Sequence, residues 1–130
     1  MQSFLKISFL CKLETYVIED FIFMATQGRV AELERSLDSN PTLINQVSCP
    51  AATHYNPFPL AGQTALHWAT TRGQIAVIEL LLRRGALVNS VNEFNWTPLH
   101  WACFDKADEA AARVLIAAGA DVNIKDRVSN

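Results

Sequence analysis

The chain has 130 residues, half of them apolar and 18% charged, which fits one core-forming domain. A formal net charge of −2 gives no general pull toward nucleic acid or an anionic membrane, and the basic pair Arg83–Arg84 does not alter that. The three cysteines, Cys11, Cys49 and Cys103, are odd in number and far apart, so reduced thiols in the cytoplasm or nucleus are expected rather than a disulfide framework or a zinc site.

Residues 4–24 are rich in Phe, Leu and Ile, but Lys6, Lys12, Glu14, Glu19 and Asp20 interrupt them. The run Ile7–Cys11 is shorter than the roughly 7–15 apolar residues of a secretory signal. No stretch offers the roughly 20 uncharged residues of a membrane span. With Phe4, Ile7, Cys11 and Ile18 near helical spacing, residues 1–18 read as a helical cap or a flexible lead-in. Over 19–45, Phe21, Ala25, Gly28, Val30, Leu33 and Leu37 fall in the order that Leu66, Thr70, Gly73, Ile75, Ile78 and Leu82 repeat later. Residues 46–61, rich in Pro, Ala and aromatics, form an inserted finger whose His54–Pro59 stretch is either disordered or a contact element.

Two better copies follow, at 62–94 and 95–126. Gln63–Ala69 returns as Trp96–Ala102, with Thr64 and Thr97 33 residues apart. Arg84–Asn89 returns as Ala118–Asn123 at a spacing of 34, so one residue is inserted, within Phe104–Glu109. A longer loop there costs little. Thr64 and Thr97 are placed to cap short helices, and Pro98 sits at a first helical position where its missing N–H is harmless. Leu66, Ala69 and Thr70 share one helical face, and Leu99, Ala102 and Cys103 repeat it. Gly73 supplies a reversal into a second helix, Gln74–Arg84, with Ile75, Ile78, Leu81 and Leu82 as its apolar stripe. Gly85 and Gly119 read as left-handed C-caps, followed by extended pieces at Ala86–Val91 and Ala120–Lys125. Lys106 stands where the reversal glycine should be, and Asp108 is placed to cap Glu109–Ala118. Residues 127–130 are the start of a further copy or a tail.

These blocks resemble the ankyrin repeat, whose hallmark T-P-L-H-x-A recurs at a period of about 33. The resemblance implies an all-α solenoid of stacked helix–turn–helix pairs with short β-hairpin connections. It makes 19–45 a degenerate repeat, 46–61 an enlarged hairpin, and assigns the structural motif to Thr64, Leu66, His67, Ala69, Gly73, Gly85, Thr97, Pro98, Leu99, His100, Ala102 and Gly119. About three repeats are needed for a stable array. An uncapped C-terminal end implies a longer array, or a face that meets a partner or a second copy.

A protein-binding scaffold or adaptor is the implied function, with no cofactor, nucleic acid or small-molecule substrate and no firm membrane signal. His100, Cys103 and Asp105 invite a nucleophilic reading, but a Cys–His pair needs a base oriented by a third group. His67 and His100 recur with the repeat, as structural residues do, and in this family they bond the turn backbone. One histidine per repeat gives no chelating pair, so neither a catalytic nor a metal site is expected.

The resemblance implies partner contacts on the hairpin tip, Asn92, Glu93, Phe94, Asn95 and Trp96, and on the groove-facing helix ends, Thr71, Arg72, Phe104 and Asp105. Trp68 and Trp101, at equivalent positions, should lie side by side, packing repeats together or reaching the groove. Asn89 and Asn123 should bond the turn backbone. The resemblance also allows them a second role, as substrates of an asparaginyl hydroxylase, with Leu81 and Leu115 eight residues upstream. The His-Trp-Ala variant of the motif is similar to that of membrane-bound palmitoyltransferases. The alternative function is therefore a regulatory ankyrin segment of a larger enzyme or channel, cut at residue 130.

Overall fold

A computed structural model describes residues 17–47, 62–104 and 108–125. The sequence expectations for 1–16, for the body of the finger, for Asp105 and Lys106 and for the tail lie outside those residues. The elements, in order, are α1 (17–27), α2 (Val30–Ser39), a 3₁₀ turn (Pro41–Asn45), α3 (Ala65–Thr71), α4 (Ile75–Arg83), α5 (Pro98–Cys103) and α6 (Glu109–Ala117).

Each short helix starts where the sequence supplies an oxygen for its free N–H groups. Thr64 and Thr97 accept from the backbone N–H of His67 and His100, and each histidine returns the favour: Nδ1 accepts the threonine N–H at 3.1 and 2.9 Å. This is a capping box with histidine in place of the usual Glu or Gln. Pro98 stands at the start of α5, and Asp108 caps α6 by accepting from the Ala111 N–H. Gly73, at φ +66°, ends α3 in the left-handed region; the Gln74 N–H reaches the Ala69 carbonyl at 2.9 Å. Gly85 and Gly119 close α4 and α6 in the same way.

The helices stack in two rows. α3 packs on α5 in one, α2 on α4 and α4 on α6 in the other, and α3–α4 and α5–α6 close the pairs. Such a pair cannot cover its own apolar face, so the core is continuous across pairs, from Phe21, Leu33 and Leu37 through Leu66, Ile78 and Leu81 to Leu99 and Leu115. On α4 the buried arc is wider than the expected stripe. Val77 and Leu80 are fully buried beside Ile78 and Leu81, whereas Ile75 and Leu82 are half-buried, because α2 and α6 flank this helix on both sides.

The connections carry turns rather than the expected strands: among the described residues the sole pairing is an isolated bridge between Val47 and Thr64. The 84–97 connection is closed by a side chain. Asn92 Oδ1 accepts from the N–H groups of Phe94 and Trp96, at 2.9 and 3.1 Å. Asparagines also join neighbouring turns. Asn45 Oδ1 accepts from the Leu87 N–H at 3.0 Å, and Asn89 Oδ1 from the Asp121 N–H at 2.8 Å. Asn89 therefore bonds the next connection and not its own turn.

Candidate functional site

The tip and α5 bring together a cluster of rings. Trp96 lies edge-to-face with Trp101 at 4.8 Å and with Phe104 at 5.1 Å, and Trp101 meets Phe104 at 5.7 Å. The His100 ring stacks on Trp96 at 5.9 Å. Edge-to-face pairs at such spacings hold each other in place, each worth about 0.5–1.5 kcal/mol beyond burial. Trp101 is fixed further by its Nε1, which donates to Gln63 Oε1 at 3.0 Å.

Trp101 is thus joined to Trp96 and Phe104. No ring contact links it to Trp68, which is buried in α3. The two tryptophans stand on packed helices, α3 and α5, and the rings in contact with Trp101 are Trp96 and Phe104.

The expected contact residues separate into two groups. Glu93, Phe94 and Phe104 are exposed, with Phe104 52% accessible, as are Thr71 and Arg72 at the end of α3. Asn92 is turned inward: it is buried, and its amide donates to Gln63 Oε1 at 3.0 Å. A partner cannot use that side chain, and its place in the tip is structural. Asn95, the one non-glycine residue at positive φ among the described residues, spends its amide on the Lys125 carbonyl at 2.7 Å. Trp96 is half-buried and buttresses the exposed ring of Phe104.

His67 is enclosed. Its Nδ1 takes the Thr64 N–H, so Nε2 carries the proton and donates to the Trp96 carbonyl at 3.0 Å. Burial holds its pKa down at about 4; backbone bonds to Trp96 and Ser90 offset part of this, and His100 adds a little repulsion. A neutral imidazole with both nitrogens engaged joins one pair to the next connection. Cys103 is a free, exposed thiol. Among the described residues no three His, Cys, Asp or Glu side chains gather as metal ligands, and no helix is long and apolar enough to cross a membrane.

Sequence reasoning missed Trp101 as a member of the cluster. It also missed a groove lined by Leu99, Ala112, Ile116, Val122 and Ile124 beside Phe104. The signal was present in a comparison of the two copies, where Gln63 becomes Trp96 and Thr71 becomes Phe104.

Stacked helix pairs, two of them capped by threonine and one tied by His67 to the following connection, define a repeat solenoid. The family of ankyrin repeats (3 copies) matches residues 29–126, and the chain belongs to it. Similar proteins include palmitoyltransferase AKR1 of Candida albicans, 41% identical over 66 residues, or 51% of this chain and 8% of that protein. Protein phosphatase 1 regulatory subunit 27 of Homo sapiens is 43% identical over 61 residues, 47% of this chain and 39% of that protein. Palmitoyltransferase Hip14 of Drosophila melanogaster is 44% identical over 64 residues, covering 48% of this chain and 10% of that protein. The chain therefore spans well under half the length of these relatives.

Proposed function

We propose that the chain is a protein-binding scaffold module that holds its partner against Glu93, Phe94, Phe104, Thr71 and Arg72. Ankyrin repeats commonly mediate protein interaction, which sets the class. The observation that carries the surface is the pair of exposed rings, Phe94 and Phe104, with Phe104 buttressed by Trp96 and Trp101. Aromatic anchors held rigid by neighbours lose little entropy on binding and dominate interface energies. In this reading the helix pairs at 19–45, 62–94 and 95–126 are the three repeats, and the protein works in the cytoplasm or nucleus.

The test is affinity capture from a cell extract with the wild-type chain and with Phe94→Ala/Phe104→Ala. Trp96 is left intact, because removing it would collapse the buttress. Loss of captured protein at unchanged helicity supports the surface; equal capture by the double variant discards it.

A second reading is favoured by the similarity to two palmitoyltransferases that extend far beyond the matched segment. Here the module regulates a larger enzyme or channel. Transmembrane or catalytic motifs encoded downstream of Asn130 would support it, and further repeats followed by a stop would overturn it.

A further inference from the structure

Gln63 stands just before Thr64, the cap of α3, and at 2% exposure is out of reach of a partner. Its Oε1 accepts from two residues that follow α4, Asn92 Nδ2 and Trp101 Nε1, each at 3.0 Å. Those two donors lead to different parts of the surface. Asn92 Oδ1 takes the N–H groups of Phe94 and Trp96, at 2.9 and 3.1 Å, so the side chain that meets Gln63 also fixes the tip. Trp101 stands edge-to-face with Trp96 at 4.8 Å, inside the cluster of rings.

The amide orientations along this path are determined by their partners. Asn92 must turn its oxygen to the two backbone N–H groups, so its nitrogen faces Gln63. The Trp101 indole is a donor only. Gln63 must therefore present its oxygen to both, which the two lone pairs of one carbonyl oxygen allow. Turning over either amide sets donor against donor or acceptor against acceptor. A buried network satisfied in a single orientation holds its parts in a single arrangement.

The same pair does not recur in the next copy. At the corresponding positions stand Trp96 and Asp126. A tryptophan offers no acceptor and a carboxylate no donor, so those two residue types cannot build the relay. Gln63 and Asn92 occur together where the tip carries Glu93 and Phe94.

We propose that Gln63 is a positioning residue for the partner surface: from inside the stack it sets the tip through Asn92 and the ring cluster through Trp101. The inference rests on the partner-binding reading and adds to it a buried residue that touches no partner.

Hydrogen exchange of the full chain, followed by magnetic resonance, tests the relay without a partner. In Gln63→Leu the Phe94 and Trp96 amides and the Trp101 indole N–H should exchange about tenfold faster relative to Leu81, a buried residue of α4 that reports any general loss of stability. Gln63→Glu, whose carboxylate accepts from both donors, should restore slow exchange at all three. Asn92→Asp keeps the tip acceptor but should speed exchange at the Trp101 indole, because Gln63 must then turn its nitrogen to the carboxylate. Unchanged tip amides in Gln63→Leu overturn the proposal; if that variant does not fold, an unchanged indole in Asn92→Asp does so.

Affinity capture separates the inference from the reading beneath it. Gln63→Leu should lower capture by about threefold or more, and Gln63→Glu should restore it. Full capture by Gln63→Leu, where Phe94→Ala/Phe104→Ala loses it, overturns the positioning role alone. Capture indifferent to the two rings as well sinks the partner reading, and the positioning role with it.

Discussion

His67 Nε2 lies 3.0 Å from the carbonyl oxygen of Trp96, so the first helix of one repeat holds the connection that leads into the next. Because Nδ1 is committed to the Thr64 N–H, this bond exists only with Nε2 protonated and the ring neutral. One residue thereby serves its own helix cap and the inter-repeat joint.

That double role makes stability depend on pH. Burial lowers the His67 pKa to about 4 in the folded chain, against 6.5 when unfolded. Between those values the unfolded chain binds a proton that the folded chain does not. Stability is then full above about pH 6.5 and falls as the pH drops toward about 4, by on the order of 3 kcal/mol. Urea midpoints measured between pH 7.5 and 4.5 should fall steeply for the wild type. They should fall less for His67→Gln, whose amide still donates but does not titrate. Parallel profiles for the two proteins would contradict this account.

The threonine caps should be replaceable only by another hydroxyl. Thr97 is 1% exposed and accepts from the His100 N–H, so Thr97→Ala should cost about 1 kcal/mol, within the usual cap range of about 0.5–2. Thr97→Ser keeps the oxygen and should retain most of the stability. Thermal melts of the two variants side by side provide the check; equal losses would mean that the methyl group matters and not the cap.

These caps were legible because they follow local rules and appear twice: Thr64 with His67, Thr97 with His100, and a glycine after α3 and α4. Asp108 was legible for the same reason, as a capping residue just before a helical run. What escaped was set by distant neighbours. Nothing local in Asn92 shows that it turns inward to Gln63 Oε1, since the same residue type fits an exposed turn equally well. The choice of Trp101 between Trp68 and Trp96 depends on how far one repeat is shifted against the next. In the 84–97 connection the Asn92 side chain takes the N–H groups of Phe94 and Trp96 that a strand partner would otherwise bind.

Two glycines separate backbone strain from crowding. Gly73 has φ +66°, and a Cβ there would come within 2.9 Å of Asp108 Oδ2, the carboxylate that caps α6. Gly85 has φ +93° but meets nothing within 4 Å. Gly85→Ala should therefore cost only the left-handed penalty of about 1–2 kcal/mol. Gly73→Ala should cost more, by disturbing the cap as well, on the order of 1 kcal/mol extra. Equal melting temperatures for the two variants would count against a close approach of the α3–α4 turn to Asp108.

The strongest test of cooperation between repeats lies at Gln63, which is 2% exposed and whose Oε1 accepts from both Asn92 Nδ2 and Trp101 Nε1 at 3.0 Å. Gln63→Leu keeps the bulk and removes the acceptor, leaving two donors unanswered at about 1–3 kcal/mol for each one that stays buried. Trp101→Phe removes one of those donors and retains an aromatic ring against Trp96 and Phe104. In the wild-type background it should destabilise by losing a bond; in the Gln63→Leu background it should cost less, because the stranded N–H goes with it. The double-mutant cycle should therefore show a coupling of about 1 kcal/mol, well outside the scatter of independent sites. Additive losses would mean that the glutamine does not join the two repeats, and the register between α3 and α5 would have to come from apolar packing.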